Sequence, residues 1–385
     1  MTEYKKAPID WCPQIPSNWD YIRLKDIATL QSGKTFTADD LVENAPYPVY
    51  GGNGLRGYTN SYTNEGHYVL IGRQGALCGN INYADGKFFA TEHALVVYTK
   101  HQEVINWLGE TLRTANFNRL STTAAQPGLA AGVLRNQFIP YPPLGTRKKI
   151  ALYINEKSKN IDGRITLLTK KQEYYKRLKK ILINRTVCHG LNPNAEMKDS
   201  GIDWIDKIPS HWNVMAYKRF MKIYNGKDYK HIISNSEEGY PVIGSGGQFE
   251  WASTYMYDGE AILLGRKGTI DNPMYINGAF WTVDTMFYSV PISKVCCKYI
   301  YYCVKSVPLE KYSTQTALPS MTQAALGNIL YAIPPLAEQE AIANYLDDKC
   351  SKIDTIVEKI SEEINLLGKL KKSLINEVIT GKRTV

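Results

Sequence analysis

The run Gly52-Asn53-Gly54-Leu55-Arg56-Gly57 has the glycine spacing of a phosphate-cradling loop. That chemistry needs a helix next, whose first amides face the phosphate. Here Tyr58-Thr59-Asn60-Ser61-Tyr62-Thr63-Asn64 follows, a poor helix, and no acid stands at the required spacing beyond it. The residues read instead as a flexible Gly-rich loop that brings two stretches of backbone close together. Tyr141-Pro142-Pro143-Leu144 and Ile333-Pro334-Pro335-Leu336 carry the double proline of an amino-methyltransferase site. Both lack the acid or amide before it and the aromatic after it, so neither holds a target amine. The six histidines are scattered without zinc spacing. Cys188 and His189 are adjacent, but adjacency does not set a thiol against an imidazole. The chemistry that remains is recognition. In Gly72-Arg73-Gln74-Gly75 and Gly265-Arg266-Lys267-Gly268, arginine can bond guanine bidentately and glutamine can do so with adenine. The plainer reading of both turns is a tight hairpin with a surface arginine.

Those two turns belong to a unit that occurs twice. Ile9, Asp10, Trp11, Ile15, Pro16, Ser17, Trp19, Gly33 and Lys34 recur 193 positions later, from Ile202 to Lys227. Tyr47-Pro48-Val49 returns as Tyr240-Pro241-Val242, and Ile161-Asp162, at an offset of 192, as Ile353-Asp354. A period near 190 residues is far too long for a solenoid and means two homologous domains. Each unit opens with a Gly-, Tyr-, Thr- and Asn-rich part containing short β-like runs such as Tyr68–Ile71 and Ala261–Leu264. A short helix is expected near Gln102, with its counterpart near Ser293. Pro-Pro-Leu then punctuates the boundary.

Each unit closes with a long helix. Ile154, Ser158, Ile161, Ile165, Leu168, Gln172, Tyr175, Lys179 and Leu182 fall on alternating spacings of four and three in the first, and Leu346, Cys350, Ile353, Val357, Ile360, Ile364, Leu367, Lys371, Leu374 and Val378 in the second. That is a coiled-coil seam. The plainer alternative is two amphipathic helices, each packed on its own domain. Roughly 40 helical residues span about 60 Å, too long for one small domain to cover. The helices are therefore expected to cover each other, antiparallel, about a pseudo-two-fold axis. From Arg147 to Arg185 there are thirteen Lys/Arg against three acids; from Glu338 to Arg383, eight against nine. Asp347, Asp348, Asp354, Glu358, Glu362 and Glu363 are the acids available to pair with the basic helix.

Hydrophobic residues make up 44% and charged residues 22% of 385, values of a globular chain. Seven cysteines without a Cys-x-x-Cys pair fit a reduced, cytoplasmic protein rather than a zinc or disulfide scaffold. No apolar run reaches the ~18 residues of a membrane span, and the opening residues are not those of a signal peptide. A net charge of +9 favours a polyanionic partner, though weakly. The loops after Tyr-Pro-Val differ between repeats, and segments 34–44 and 227–236 differ more. A shared framework with divergent polar loops suits two readers of different sequences. The candidate DNA contacts are Lys34, Gly52, Asn53, Arg56, Arg73 and Gln74 in the first repeat, and Lys227, Ser245, Gln248, Arg266 and Lys267 in the second.

The whole chain resembles the specificity subunits of type I restriction–modification systems. The resemblance rests on Ile-Pro-x-x-Trp at Ile15–Trp19 and Ile208–Trp212, the Tyr-Pro-Val-x-Gly and Gly-Arg-x-Gly turns, and the Thr91–Ala94 segment. It rests also on the Pro-Pro-Leu helix starts and the ending Leu374-Ile375-Asn376-Glu377-Val378-Ile379-Thr380-Gly381-Lys382. The second helix start, Pro334-Pro335-Leu336-Ala337-Glu338-Gln339-Glu340, is close to the family pattern; the first lacks its Glu-Gln. The resemblance implies an α+β protein in which two β-rich target recognition domains are joined by two long antiparallel coiled-coil helices. The corresponding boundaries are 1–144, 145–190, 191–336 and 337–385. It further implies a non-catalytic subunit that reads an asymmetric two-part site in double-stranded DNA. Two methyltransferase subunits would bind S-adenosylmethionine, and two motor-nuclease subunits would use ATP and Mg²⁺; this chain would carry no cofactor or metal. A specificity subunit of a type II-like modification enzyme, a DNA-binding repressor and a structural adaptor remain open on the residues alone.

Overall fold

The computed structural model describes residues 3–75, 77–121, 128–234, 238–314 and 319–385. Two units result: Met1–Thr169 together with Glu362–Val385, and Lys170–Ser361.

In the first unit, strands Ala28–Ser32, Ala94–Thr99, Tyr68–Gly72 and Ile81–Ala84 lie side by side in that order, all antiparallel. Val69, Ile71, Leu95 and Val97 point to one face and pack on Trp107, Leu108 and Leu112 of the helix Ile105–Ala115. Leu70 and Val96 point to the other and meet Phe88 and Ala90. Burial on both faces explains why these strands read as continuous apolar runs rather than alternations. A second sheet runs Gly54–Thr59, Tyr47–Gly51, Lys87–Ala90, Asn64–Glu65.

The second unit carries the same strands as one six-stranded sheet: Met221–Asn225, Met286–Pro291, Tyr257–Gly265, Met274–Thr282, Tyr240–Gly244, Gly247–Ala252. Two of its strands, Tyr257–Gly265 and Met274–Thr282, each do the work of two shorter ones in the first unit. There the ladder is interrupted between Glu65 and Tyr68 and between Ala84 and Lys87. The short helix of this unit is Cys297–Ser306.

The long helices are Leu144–His189 and Leu336–Ile379, of 46 and 44 residues. A strand feeds each: Phe138–Tyr141 pairs with Asp20–Arg23, and Leu330–Ile333 with Asn213–Ala216. Proline then ends the strand and starts the helix with a φ already suited to the first turn. The N–H of Arg147 donates to Pro143 O at 3.0 Å and that of Gln339 to Pro335 O at 3.1 Å. Each helix ends on a left-handed glycine, Gly190 (φ +71°) or Gly381 (φ +73°). A Cβ on Gly381 would stand 2.4 Å from Pro16 and 3.2 Å from Trp19; one on Gly190 would stand 3.1 Å from Trp212. The repeated Ile-Pro-x-x-Trp motif is thus the seat of an arriving helix end in both units. Ile15, Ile208 and Trp212 are fully buried there, each stabilising by roughly 1.5–3 kcal/mol.

Within the first unit, Asp162 pairs with Lys371 and Arg164 with Glu363. Within the second, Gln172 donates to Ser361 and Lys179 pairs with Asp354. In both, numbers rise along one helix as they fall along the other, so the helices pair antiparallel. Ile154, Ile161, Leu346, Ile353, Ile360 and Leu367 are buried; Ile165, Leu168, Tyr175, Leu182, Val357 and Leu374 are half-buried. The expectation that six acids serve the basic helix needs correction. Among the described residues, only Asp354 and Glu363 pair with it. Asp347 is taken by Lys298 and Tyr302 of its own domain, and Asp348 by Lys349 and Lys352 of its own helix. Glu358 and Glu362 have no ion pair with it among the described residues.

Candidate nucleic-acid interface

The Gly-x-Gly-x-x-Gly run forms an antiparallel hairpin between Tyr47–Gly51 and Gly54–Thr59, and a strand rather than a helix follows its glycines. No row of helix amides faces a phosphate, so the loop does not fit a nucleotide. Its glycines serve close approach. A Cβ on Gly72 would stand 2.0 Å from Gly52 O, so the first glycine of the Gly-Arg-x-Gly turn lies against the hairpin backbone. Gly265 is equally tight, 2.0 Å from Thr269 O. The turn is then fastened identically in both units. Arg73 N donates to His93 O and Leu129 N to Arg73 O; Arg266 N donates to Thr285 O and Met321 N to Arg266 O. The closing glycines, Gly75 and Gly268, have φ of +88° and +80°.

In the first unit this packing gathers Gly52, Asn53, Arg56 and Gln74 around an open cavity of about 540 Å³. Asn53 is oriented by Asn80, whose Nδ2 donates to its Oδ1 at 3.0 Å. Arg56 lays its alkyl stem on Gly51. Lys34 and Arg73 are not in this lining. Lys34 is exposed, with its N–H donating to Ala90 O; Arg73 Nη1 reaches Ser32 Oγ at 3.4 Å. His93 completes the cavity wall and was not among the residues expected from sequence. Its signal was present: it lies inside the Thr91–Ala94 segment, read there only as a family marker.

In the second unit, Lys227 repeats the place of Lys34, its N–H donating to Thr282 O. Gln248 and Lys267 are exposed and Ser245 half-buried, the last accepting at its carbonyl from Asn272 Nδ2. Arg266 turns inward: its Nη1 donates to Asp284 O and its guanidinium lies over Phe287. Ser236, in the variable segment after Lys227, lies outside the described residues. The rim in the first unit offers exposed amide and guanidinium groups beside the half-buried His93 imidazole; the exposed set in the second offers an amide and an ammonium. These are the groups that read base edges.

Catalytic alternatives find no support in the surroundings. Burial pushes the Cys188 thiol up to about 12, the reverse of an activated nucleophile. His189 points Nδ1 at Arg185 O, within its own helix. All seven cysteines are free. Among the described residues no three His, Cys, Asp or Glu could hold a metal ion, and no helix is long and apolar enough to cross a membrane. A separate cavity of about 600 Å³ in the first unit lies between the short helix and the paired long helices, lined by Tyr83, Glu110, Arg113 and Lys371. Burial and the Glu110 carboxylate raise the Tyr83 phenol well above its usual range, and its hydroxyl donates to that carboxylate at 3.0 Å.

The model of the type I restriction modification DNA specificity domain matches the chain twice, over residues 16–173 and 209–366. The specificity subunit of the type I restriction enzyme EcoprrI of Escherichia coli is 37% identical over 137 residues, which is 34% of each chain. That of the type I enzyme MjaVIII of Methanocaldococcus jannaschii is 24% identical across 96% of this chain and 94% of its own. Among solved structures, a chain described under complex assembly and conformational transition of the type I R-M system superposes with a TM-score of 0.71. It is 15% identical and covers 96% of this chain and 99% of that one. The HsdS subunit of Thermoanaerobacter tengcongensis, also 15% identical, gives 0.51 over 98% and 100%. With both of its repeats matched from the Ile-Pro-x-x-Trp seat into the long helix, this chain belongs to the type I restriction–modification DNA specificity family.

Proposed function

We propose that each unit reads one half of an asymmetric, two-part DNA site, and that the paired long helices set the unread gap between the halves. The observation that carries this is the identical fastening of the Gly-Arg-x-Gly turn in both units beneath different rim side chains. One frame with two sets of exposed groups is what two different half-sites require. A single domain reading a few base pairs discriminates by only ~1–3 kcal/mol per base pair. Tying two readers together makes the second engagement intramolecular and multiplies their selectivity. On this reading the helices also dock two methyltransferase subunits. These supply S-adenosylmethionine and methylate an adenine flipped from the stack. Two motor-nuclease subunits supply the ATP- and Mg²⁺-dependent cutting. The setting is cytoplasmic, and this chain contributes recognition and assembly.

The test is co-expression with the neighbouring methyltransferase in a host lacking adenine methylation, followed by genome-wide mapping of modified adenines. The expected result is one asymmetric motif of two parts with a fixed gap, methylated on both strands. A symmetric or one-part motif would refute the two-reader assignment.

A further inference from the structure

Arg147 stands in the first turn of the first long helix and is only 5% exposed. A guanidinium stays charged in a protein, so the cost of burying it cannot be relieved by losing a proton. Its central carbon lies 4.1 Å from the Tyr141 ring centre and 5.4 Å from that of Trp107. The rings attract the cation but carry no net charge to balance it. No carboxylate pairs with Arg147 among the described residues, and its Nε finds no hydrogen-bond acceptor. Trp107, fully buried, leaves its Nε1 without an acceptor as well. The helix sharpens the imbalance. Its N-terminal end carries partial positive charge, and no acid stands in its first turn. Glu103, just before the short helix, is engaged by Lys148 and His101 instead.

The second unit settles the same place with its own atoms. At an offset of 192, Arg147 corresponds to Gln339 and Trp107 to Tyr299. Gln339 is equally buried, and its Oε1 accepts from Cys296 N at 2.9 Å while its Nε2 donates to Pro334 O at 2.8 Å. The Tyr299 hydroxyl donates to Ala332 O at 2.8 Å. Glu338 supplies an acid in the first turn of that helix. The departure of the first helix start from the Glu-Gln pattern thus exchanges a satisfied amide for an unbalanced buried cation.

We infer that the first unit binds a small monovalent anion of chloride size beside Arg147, at the start of the first long helix. A guanidinium together with a helix N-terminus calls for about one negative charge. A side chain so covered admits only a small free ion; a peptide carboxylate or a DNA phosphate brings a chain with it that the site has no room for. The N–H groups of Arg147 and Trp107 are the donors such an ion takes. The bound ion joins the helix Ile105–Ala115, the strand Phe138–Tyr141 and the long helix at one point. It therefore strengthens the joint between the first recognition core and its helix, and the second unit does not share that dependence. The inference stands independently of the DNA site proposed above.

The experiment compares the full chain in sodium chloride and in sodium gluconate at equal ionic strength, so that general screening is the same in both. Thermal unfolding and the linewidth of the chloride NMR signal are the two readouts. Arg147→Gln installs the residue of the second unit, and Arg147→Lys keeps the charge; circular dichroism verifies that each is folded. About 0.15 M chloride is expected to raise the wild-type midpoint by about 2–4 °C over gluconate. Arg147→Gln should unfold at the same temperature in both salts and show about half the wild-type excess linewidth or less. Arg147→Lys should retain part of both effects. Equal wild-type midpoints in the two salts overturn the site, and that result needs no variant to fold. An Arg147→Gln protein that keeps the wild-type chloride response places the ion elsewhere and overturns it equally.

Discussion

Lys179 sets its ammonium 2.7 and 2.6 Å from the two carboxylate oxygens of Asp354 in the second unit. In the first unit Lys371 grips Asp162 in the same way, at 2.8 and 2.7 Å. Lys371 is the repeat counterpart of Lys179, and Asp354 of Asp162. The duplicated seam therefore uses one ion pair twice, with the roles of the helices exchanged. Both carboxylates are more than half exposed, so each pair is worth about 0.2–1 kcal/mol. Asp354→Lys should lower the unfolding midpoint slightly, and adding Lys179→Asp should recover it. A double variant no better than the single one would show that the pair does not set register.

Removing a rim side chain should change sequence choice at one half-site only. Asn53→Ala, Arg56→Ala or Gln74→Ala is expected to relax the first half of the methylated motif and leave the second intact. Gln248→Ala should do the converse. Each lost bidentate contact corresponds to ~1–3 kcal/mol at a single base pair. Motif mapping of the variant checks this, and relaxation of both halves by one substitution would contradict it.

Gly72→Ala tests the frame beneath the rim. Its Cβ would stand 2.0 Å from Gly52 O, a backbone atom that cannot swing aside. The expected cost is about 1–3 kcal/mol, as for overpacking elsewhere. Gly75→Ala meets no neighbouring atom but must adopt φ +88°, costing about 1–2 kcal/mol in strain. Thermal unfolding should rank Gly72→Ala as the more damaging.

Three buried thiols should make the protein sensitive to alkali. Burial raises Cys12 to about 11 and Cys188 and Cys297 to about 12, each from 9.0. A raised acid favours the folded state below its unfolded pKa, and that advantage disappears as pH climbs to the folded value. Stability should therefore hold below about pH 9 and decline through 11–12. Alkylation followed by mass spectrometry at pH 8 should label these residues only after denaturation.

Seven inserted residues in each long helix, after Gln172 and after Ser361, preserve the heptad phase and add about 10 Å. At ~3.4 Å per base pair the gap in the recognised motif should grow by about three. An unchanged gap would mean that something other than the helices measures it.

Much of this architecture was legible because duplication doubles every signal. The heptads through Ile154–Leu182 and Leu346–Leu374 pointed to paired helices, and a repeat inside one chain pointed to antiparallel pairing. Rejecting a nucleotide site at Gly52–Gly57 needed only the poor helix formers that follow. Other features were out of reach. His93 sits in the noted Thr91–Ala94 segment, but its place on the cavity wall depends on the long-range bond from Arg73 N to its carbonyl. Asp347 looked free for the basic helix, yet Lys298 and Tyr302 reach it from a helix 45–49 positions away. Arg73 and Arg266 look alike in sequence, while their guanidinium groups go to Ser32 and Asp284 by tertiary placement.

The seat formed by Pro16 and Trp19 is filled by Gly381, and Val378 and Ile379 are fully buried in the core that also holds Ile9, Ile15 and Leu24. A ribosome making this chain releases residues 1–169 long before it makes 362–385. The first reader must wait, with its core open at one side, while the second is synthesised. The second needs only the contiguous stretch Lys170–Ser361 and closes first. The order of synthesis is thus the reverse of the order of completion. The last two turns of the second long helix act as the stopper of a domain begun some 350 residues earlier, and any arrest of translation before Val378 leaves that domain unsealed.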